Sequence, residues 1–199
     1  MAEWTYRLRD LCIAVAALTV FSPLMAFISL ALLLTQKRIF FTQLRPGLGE
    51  KPFRLIKFST LRDLATGVPE SGDLTGRMTP VGKWLRKSSL DELPQLLNVI
   101  RGEMALVGPR PLLMEYLPLY TSEERIRHTV RPGLTGWAQV NGRNALTFKQ
   151  RFKLDLWYVE HRSHRLDIRI MAMTLGRMFR AKNVFFEGEK ASEVYDGTN

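Results

Sequence analysis

Residues 11–36 carry no charge, and residues 11–34, LCIAVAALTVFSPLMAFISLALLL, are apolar almost throughout. A bilayer-embedded helix needs about 20 apolar residues, so this run is long enough to enter a membrane. It exceeds the apolar region of a signal peptide and continues into Lys37 and Arg38 without a small-residue cleavage pattern, which reads as a retained segment. Ser22 and Pro23 lie at its centre. A proline there removes a backbone hydrogen bond and crowds the preceding turn, so a kink is expected. Arg7 and Arg9 precede the run and Lys37 and Arg38 follow it, so no charge bias orients a spanning helix. Two geometries stay open: a kinked span, or a segment that enters one leaflet and returns.

Beyond the run, RIFFTQ (38–43) and PFRLIKF (52–58), rich in β-branched and aromatic residues around the turn-like RPGLGEK, predict a β-hairpin. The Gly-rich GVPESGDLTG (67–76) reads as a loop, and PVGKWLRKS (80–88) as a short helix opened by proline. A helix is expected over about 91–100, closed by Gly102, then a short strand in MALVG leading into GPRP. Residues 112–128 read as two helical pieces broken at Pro118, and RPGLTGWAQVNGRN (131–144) as a loop with one short strand. Residues 147–162 and 166–180 have helical periodicity. In the second, Ile168, Met171, Leu175 and Phe179 form an apolar stripe edged by Arg169, Arg177 and Arg180, suited to the core or to a membrane interface. The tail after Asn183 is polar and reads as loose. The fold class is α+β: a mainly helical domain over 37–182 with a small hairpin, an N-terminal membrane segment over 1–36 and a tail over 183–199.

Charge narrows the partners. Twenty-nine Lys and Arg against nineteen Asp and Glu give a formal charge of +10, which suits nucleic acid, an anionic membrane or a phosphorylated substrate. The single cysteine, Cys12, lies in the apolar run, so neither an intramolecular disulfide nor a cysteine metal site can form. His128, His161 and His164 lack HExxH spacing, which argues against a zinc hydrolase.

Against this basic background, SLDELPQL (89–96) places Asp91 and Glu92 side by side. Ser89 and Glu92 fit a capping box, which would explain Glu92 without chemistry. Pro94 favours Asp91 as the N-cap instead, since the proline then falls in the tolerant first turn. Either way the acids meet a helix N-terminus, where the ionised carboxylate is favoured and Asp91 could attack phosphorus. Arg86 and Lys87 precede the acids by one turn, Arg110 is held between Pro109 and Pro111, and Arg131 and Arg143 edge the Gly-rich loop. Arginines in such restricted settings suit a diphosphate, although each alone could be a solvated surface charge.

SLDELPQLLNVIRGEMALVGPRPLL, with FTQLRPG, KFSTL and RPGLTGWAQVNGRN, resembles the monotopic phosphoglycosyl transferases, the bacterial sugar transferase family. The likeness runs from about residue 7 to 180 and is to the small form, similar to the initiating enzyme of bacterial N-glycan pathways. It implies transfer of a sugar-1-phosphate from a UDP-sugar to polyprenol phosphate at the cytoplasmic face of the bacterial inner membrane, with release of UMP. It also implies a re-entrant membrane helix broken at Ser22 and Pro23, Asp91 as nucleophile and Mg²⁺ ligand, and Glu92 as its partner. Lys57, Arg86 and Arg110 match basic positions of the family's site, and Pro132, Gly133 and Arg143 its nucleotide region. Membrane lipids are expected partners, nucleic acid is not, and homodimerisation is left open.

Two other readings follow from the residues. A membrane-anchored basic module for nucleic acid or anionic lipid would use the charge but gives no reason for the acidic pair. A nucleotide-sugar hydrolase would differ from the transferase only in using water as acceptor.

Overall fold

The computed structural model describes residues 2–61, 78–142, 145–180 and 195–197, with the side chains of 178–180 outside the description. The expected loop at 67–76, Arg143 and most of the tail lie outside the described residues.

The apolar run lies in α1 (Glu3–Gln36), 34 residues and about 50 Å at 1.5 Å per residue. It is long and apolar enough to cross a membrane by length and composition. Tyr6, Asp10, Ala14, Ile28 and Leu32 are its buried residues. Ala14, Ala17 and Leu18 pack into the main core beside Val99, Met104 and Leu106. Leu24, Met25, Ile28 and Leu32 pack in a second cluster with Phe58 and Leu85. Between these halves, residues 19–23 are all exposed.

Polar ties bind both ends of α1 to the same body. Arg7 donates to the carbonyls of Val99 and Ile100, and the Asp10 carboxylate accepts from the Leu106 amide at 3.1 Å. At the far end Gln36 Nε2 donates to the Ser59 carbonyl at 2.6 Å. Arg7 and Arg9 are therefore spent inside the protein, Arg9 on Asp10 and Asp167 at 2.7 Å each. Helical backbone continues through Ser22 and Pro23, so both halves belong to the single element α1. Pro23 cannot bond the Thr19 carbonyl, and the Ser22 hydroxyl donates to that carbonyl instead, at 2.8 Å.

The predicted hairpin forms from β1 (Phe40–Pro46) and β2 (Pro52–Phe58), with Phe41 opposite Lys57. α2 (Pro80–Ser88) starts where its proline predicts, capped by Thr79. The helix expected from residue 91 is split: residues 90–92 form a 3-10 turn and α3 (Gln95–Arg101) follows, ending at Gly102 with φ +81°. Asn98 of α3 bonds β2 as a neighbouring strand would, accepting from the Ile56 amide at 3.1 Å and donating to the Arg54 carbonyl at 2.8 Å.

β3 (Ala105–Val107) pairs in parallel with β4 (Gly133–Thr135), a pairing absent from the sequence pattern. A Cβ on Gly133 would come within 2.0 Å of the Gly108 nitrogen, and one on Gly108 within 2.4 Å of the Arg131 carbonyl oxygen. Only glycine lets these two backbones stack so closely. The stretch read as a loop also contains α4 (Trp137–Asn141). Residues 114–119 and 124–129 are 3-10 rather than α-helical, and Pro118 lies inside the first while the break comes after it. α5 (Phe148–His161) begins at a Thr147–Gln150 capping box, and α6 is His164–Arg180. Along α6 the expected stripe divides: Met171 packs on the core, whereas Ile168 and Leu175 are 58% and 57% exposed. In the tail, Tyr195 is buried among Tyr116, Tyr120, Phe148 and Phe152, because an aromatic ring gains more from that cluster than from water.

Candidate active site

Asp91 and Glu92 occupy the 3-10 turn between α2 and α3, pressed against β2. Ser89 has φ +57° as the C-cap of α2, and its side chain caps nothing, so the capping box read from the sequence does not form. Glu92 turns instead to two cations. Its Oε1 accepts from Lys57 Nζ at 2.9 Å and from Arg110 Nη2 at 2.8 Å. The paired cations hold its carboxyl far below the usual carboxylate range despite burial.

Asp91 is treated oppositely. It is 9% exposed, and among the described residues no donor reaches its carboxylate. Burial and the adjacent Glu92 charge raise its pKa to about 6, against the pull of Lys57, Arg86 and Arg110. The helix-end stabilisation expected from sequence is absent because the turn is 3-10 and its amides do not bond this side chain. Two neighbouring acids are thus driven apart: one locked as an anion, the other basic and unencumbered.

Three of the expected cations belong to this group. Lys57 comes from β2, its pKa lowered by burial. Arg110 extends from the loop after β3 with its side chain 46% exposed. Arg86 of α2 donates from Nε to Thr60 Oγ1 at 3.0 Å and acts electrostatically on Asp91. Arg131 is engaged elsewhere, donating to the Gly102 carbonyl at 2.9 Å and pairing with Glu3 at 3.5 Å. Pro132 and Gly133 serve the backbone: the Pro132 carbonyl accepts from Ala105 at 2.8 Å and the Gly133 amide donates to Pro109 at 3.0 Å. They brace the segment that carries Arg110.

Sequence reasoning missed Arg45 and Gln95, which line a cavity of about 50 Å³ with Lys57 and Arg110. Arg45 donates to Gln43 at 2.6 Å, and among the described residues its buried Nε has no partner. Burial and the Arg110 charge lower its pKa to about 10. Its position in RPG at the end of the hairpin was the available signal. Arg127 was also missed, and nothing in its exposed-looking ERIRH context marks it as buried.

Asp91, with its oxygens uncommitted, is a fitting carboxylate for a hard divalent cation, which takes one or two carboxylates and completes its shell with water and phosphate oxygens. Among the described residues no group of three or more His, Cys, Asp or Glu side chains forms an all-protein metal cage.

Residues 1–181 match the family model of the bacterial sugar transferases. The chain is 44% identical to a sugar transferase, EpsL, of Bacillus subtilis (strain 168), over 96% of each chain. It is 39% identical to the UDP-glucose:undecaprenyl-phosphate glucose-1-phosphate transferase of Xanthomonas campestris pv. campestris, over 89% of this chain and 39% of that protein. It is 37% identical to the undecaprenyl-phosphate glucose phosphotransferase of Komagataeibacter xylinus, over 93% of this chain and 38% of that protein. The chain thus spans nearly all of the first relative and about two fifths of the other two. It belongs to the bacterial sugar transferase family and is a transferase of that class.

Proposed function

We propose that this enzyme moves a sugar-1-phosphate from a UDP-sugar to polyprenol phosphate, with Asp91 as nucleophile. The observation that carries the reading is the unpartnered, raised-pKa Asp91 carboxylate beside a Lys57–Glu92–Arg110 cluster. An Asp91 oxygen attacks the β-phosphorus, the bond from that phosphorus to the bridging oxygen breaks, and UMP leaves with the bridging oxygen. A phosphate oxygen of the polyprenol phosphate then attacks the same phosphorus. The Asp91 O–P bond breaks, the carboxylate is restored, and a polyprenyl-diphosphate sugar departs.

The like-charge repulsion between Asp91 and a diphosphate is the main electrostatic barrier, and Lys57, Arg86 and Arg110 oppose it. Asp91 would also hold Mg²⁺, which supplies charge neutralisation at the diphosphate. Glu92, held as an anion, is too weak a base for proton transfer near neutral pH; it orients the two cations. The names of two relatives support undecaprenyl phosphate as the acceptor.

A lipid acceptor requires the site to meet a membrane. Both halves of α1 pack on one body and residues 19–23 between them are exposed, which supports a helix that enters and leaves by the same face. In this reading the catalytic body stays on the cytoplasmic side of the bacterial inner membrane, where UDP-sugars are made.

The test is UMP release by purified enzyme with Mg²⁺, polyprenol phosphate and a panel of UDP-sugars. Release that depends on the lipid and is lost in Asp91→Asn is expected, with a phosphosugar adduct on the wild-type chain by intact mass. Repeated turnover without the lipid, beyond the single UMP per enzyme that accompanies the adduct, would make the protein a hydrolase.

A further inference from the structure

An open cleft of about 540 Å³ lies between α5 and α6, lined by Trp157, His161, Ser163, Arg165, Leu166 and Arg169. Its lining shares no residue with the cavity beside the acidic pair. Stacked rings form one wall: Trp137 on Trp157 with centroids 5.0 Å apart, and Trp157 on His161 at 4.4 Å. The Arg169 guanidinium lies over Trp137 at 5.9 Å. Among the described residues no carboxylate lines the cleft and neither Arg165 nor Arg169 forms an ion pair. The Glu160 carboxylate, 79% exposed, reaches His161 at 3.9 Å.

Two arginines without a counter-ion beside a half-exposed indole combine an anion site with an amphipathic ring suited to a membrane boundary. The surroundings continue that character. Ile168 and Leu175 project from α6 into solvent. At the start of α6, His164 stacks on Tyr6 of α1 at 4.1 Å, and Trp4 and Leu8 of α1 are exposed. The start of α6, which carries the cleft's Arg165 and Leu166, is thus also where α6 meets α1.

We propose that this cleft binds the headgroup phosphate of an anionic phospholipid, with Arg165 and Arg169 contacting the phosphate and Trp157 lying against the glycerol and upper acyl chain. The proposal rests on the membrane attachment inferred above, and takes from the sugar-transfer reading only that the reacting lipid goes to Asp91. A bulk phospholipid is favoured over the reacting lipid, whose phosphate must reach Asp91. Two contacts of this kind would pin α5 and α6 to the bilayer surface and set the height of the catalytic body above it.

The experiment titrates the detergent-purified full chain with dihexanoyl-phosphatidylglycerol, dihexanoyl-phosphatidylcholine and inorganic phosphate, reading tryptophan emission. A saturable change with the anionic lipid is expected, about tenfold weaker with the zwitterionic lipid and in Arg165→Ala/Arg169→Ala, and lost in Trp157→Phe. Equal affinity of wild type and the arginine variant overturns the proposal, as does a signal that persists in Trp157→Phe. Full competition by inorganic phosphate at the lipid's own concentration makes the cleft a simple anion site and also overturns it. Melting curves establish that the variant is folded, and Arg165→Gln/Arg169→Gln replaces it if it is not. UMP release measured in parallel separates failure here from failure of the transferase reading.

Discussion

Arg127 donates from Nη2 to the main-chain carbonyl of Arg110 at 2.7 Å, and the same nitrogen pairs with Asp155 at 2.8 Å. Both charged side chains are almost wholly buried, at 2% and 4% exposure, with the guanidinium within 6 Å of the Tyr120 and Phe152 ring centroids. A buried pair of this kind holds the Arg110 segment from behind, so Arg127 is a positioning residue. Arg127→Ala leaves Asp155 buried and unpaired and should cost about 3–5 kcal/mol of stability. In Arg127→Met/Asp155→Leu, apolar replacement should recover most of that stability, while the Arg110 carbonyl stays without its donor. Urea denaturation and steady-state kinetics should then part company: stability near wild type, kcat/KM still down by about tenfold through a raised donor KM. Full recovery of both would reduce the pair to a structural role.

Asp91→Asn should abolish turnover and stabilise the fold. Burial raises the folded-state pKa of this acid to about 6 from 3.8, so the folded chain holds the proton more tightly than the unfolded chain. The ionised group therefore opposes folding above about pH 6, by on the order of 2–3 kcal/mol, and the penalty vanishes below 3.8 where both states are protonated. The variant should melt roughly 4–8 °C higher at pH 7.5, with the gap closing toward pH 4. Wild-type turnover should fall as pH drops through about 6, in step with loss of the nucleophilic carboxylate.

Glu92→Gln should do the reverse. The depressed pKa of Glu92 contributes stability that is present above its ordinary value of 4.5 and lost as pH falls through the much lower folded value. Removing its charge leaves Lys57 and Arg110 facing each other uncompensated, for a loss of about 1–3 kcal/mol at neutral pH. Because both cations lose their orienting partner, kcat/KM should fall by about 10²-fold. Thermal melts at pH 7 and UMP-release kinetics check the two effects.

Ser22→Ala tests how α1 tolerates its proline. In the native helix the Ser22 hydroxyl satisfies the Thr19 carbonyl that Pro23 leaves unbonded. In hydrocarbon that orphaned group should cost about 1–2 kcal/mol. With Pro23→Ala the amide of residue 23 takes over, so adding Ser22→Ala should then cost almost nothing. A double-mutant cycle on melting in detergent measures the difference; additive effects would show that the hydroxyl has no such role.

The elements whose information is local were legible. Alternating β-branched and aromatic residues around RPGLGEK announce the hairpin, Pro80 opens α2, and Gly102 closes α3. The acidic pair, Arg86 and Arg110 were marked by their unusual company, whereas Lys57 was singled out only through the resemblance to the family. Ser89 misled, because S-x-x-E spacing meets the conditions for a capping box whether or not the chain builds one. Here the stronger pull of two cations on Glu92 prevailed over a single backbone amide. Arg131 looked like a ligand for phosphate and instead bonds Gly102. Tyr195, in a tail that reads as polar, found its place only in an aromatic cluster built from residues 116–152.

By itself the sequence determined the long apolar helix, the basic character and the chemistry available at Asp91 and Glu92, since composition and short-range spacing suffice for these. Tertiary structure alone decided that the two acids behave oppositely. Their difference depends on Lys57 and Arg110, which arrive from 35 and 18 residues away to meet one carboxylate and not its neighbour. It also decided that both halves of α1 lie on one body and that β3 and β4 pair in parallel. Charge acts over ångströms in space, and the order of residues along the chain does not state which distant groups will share that space.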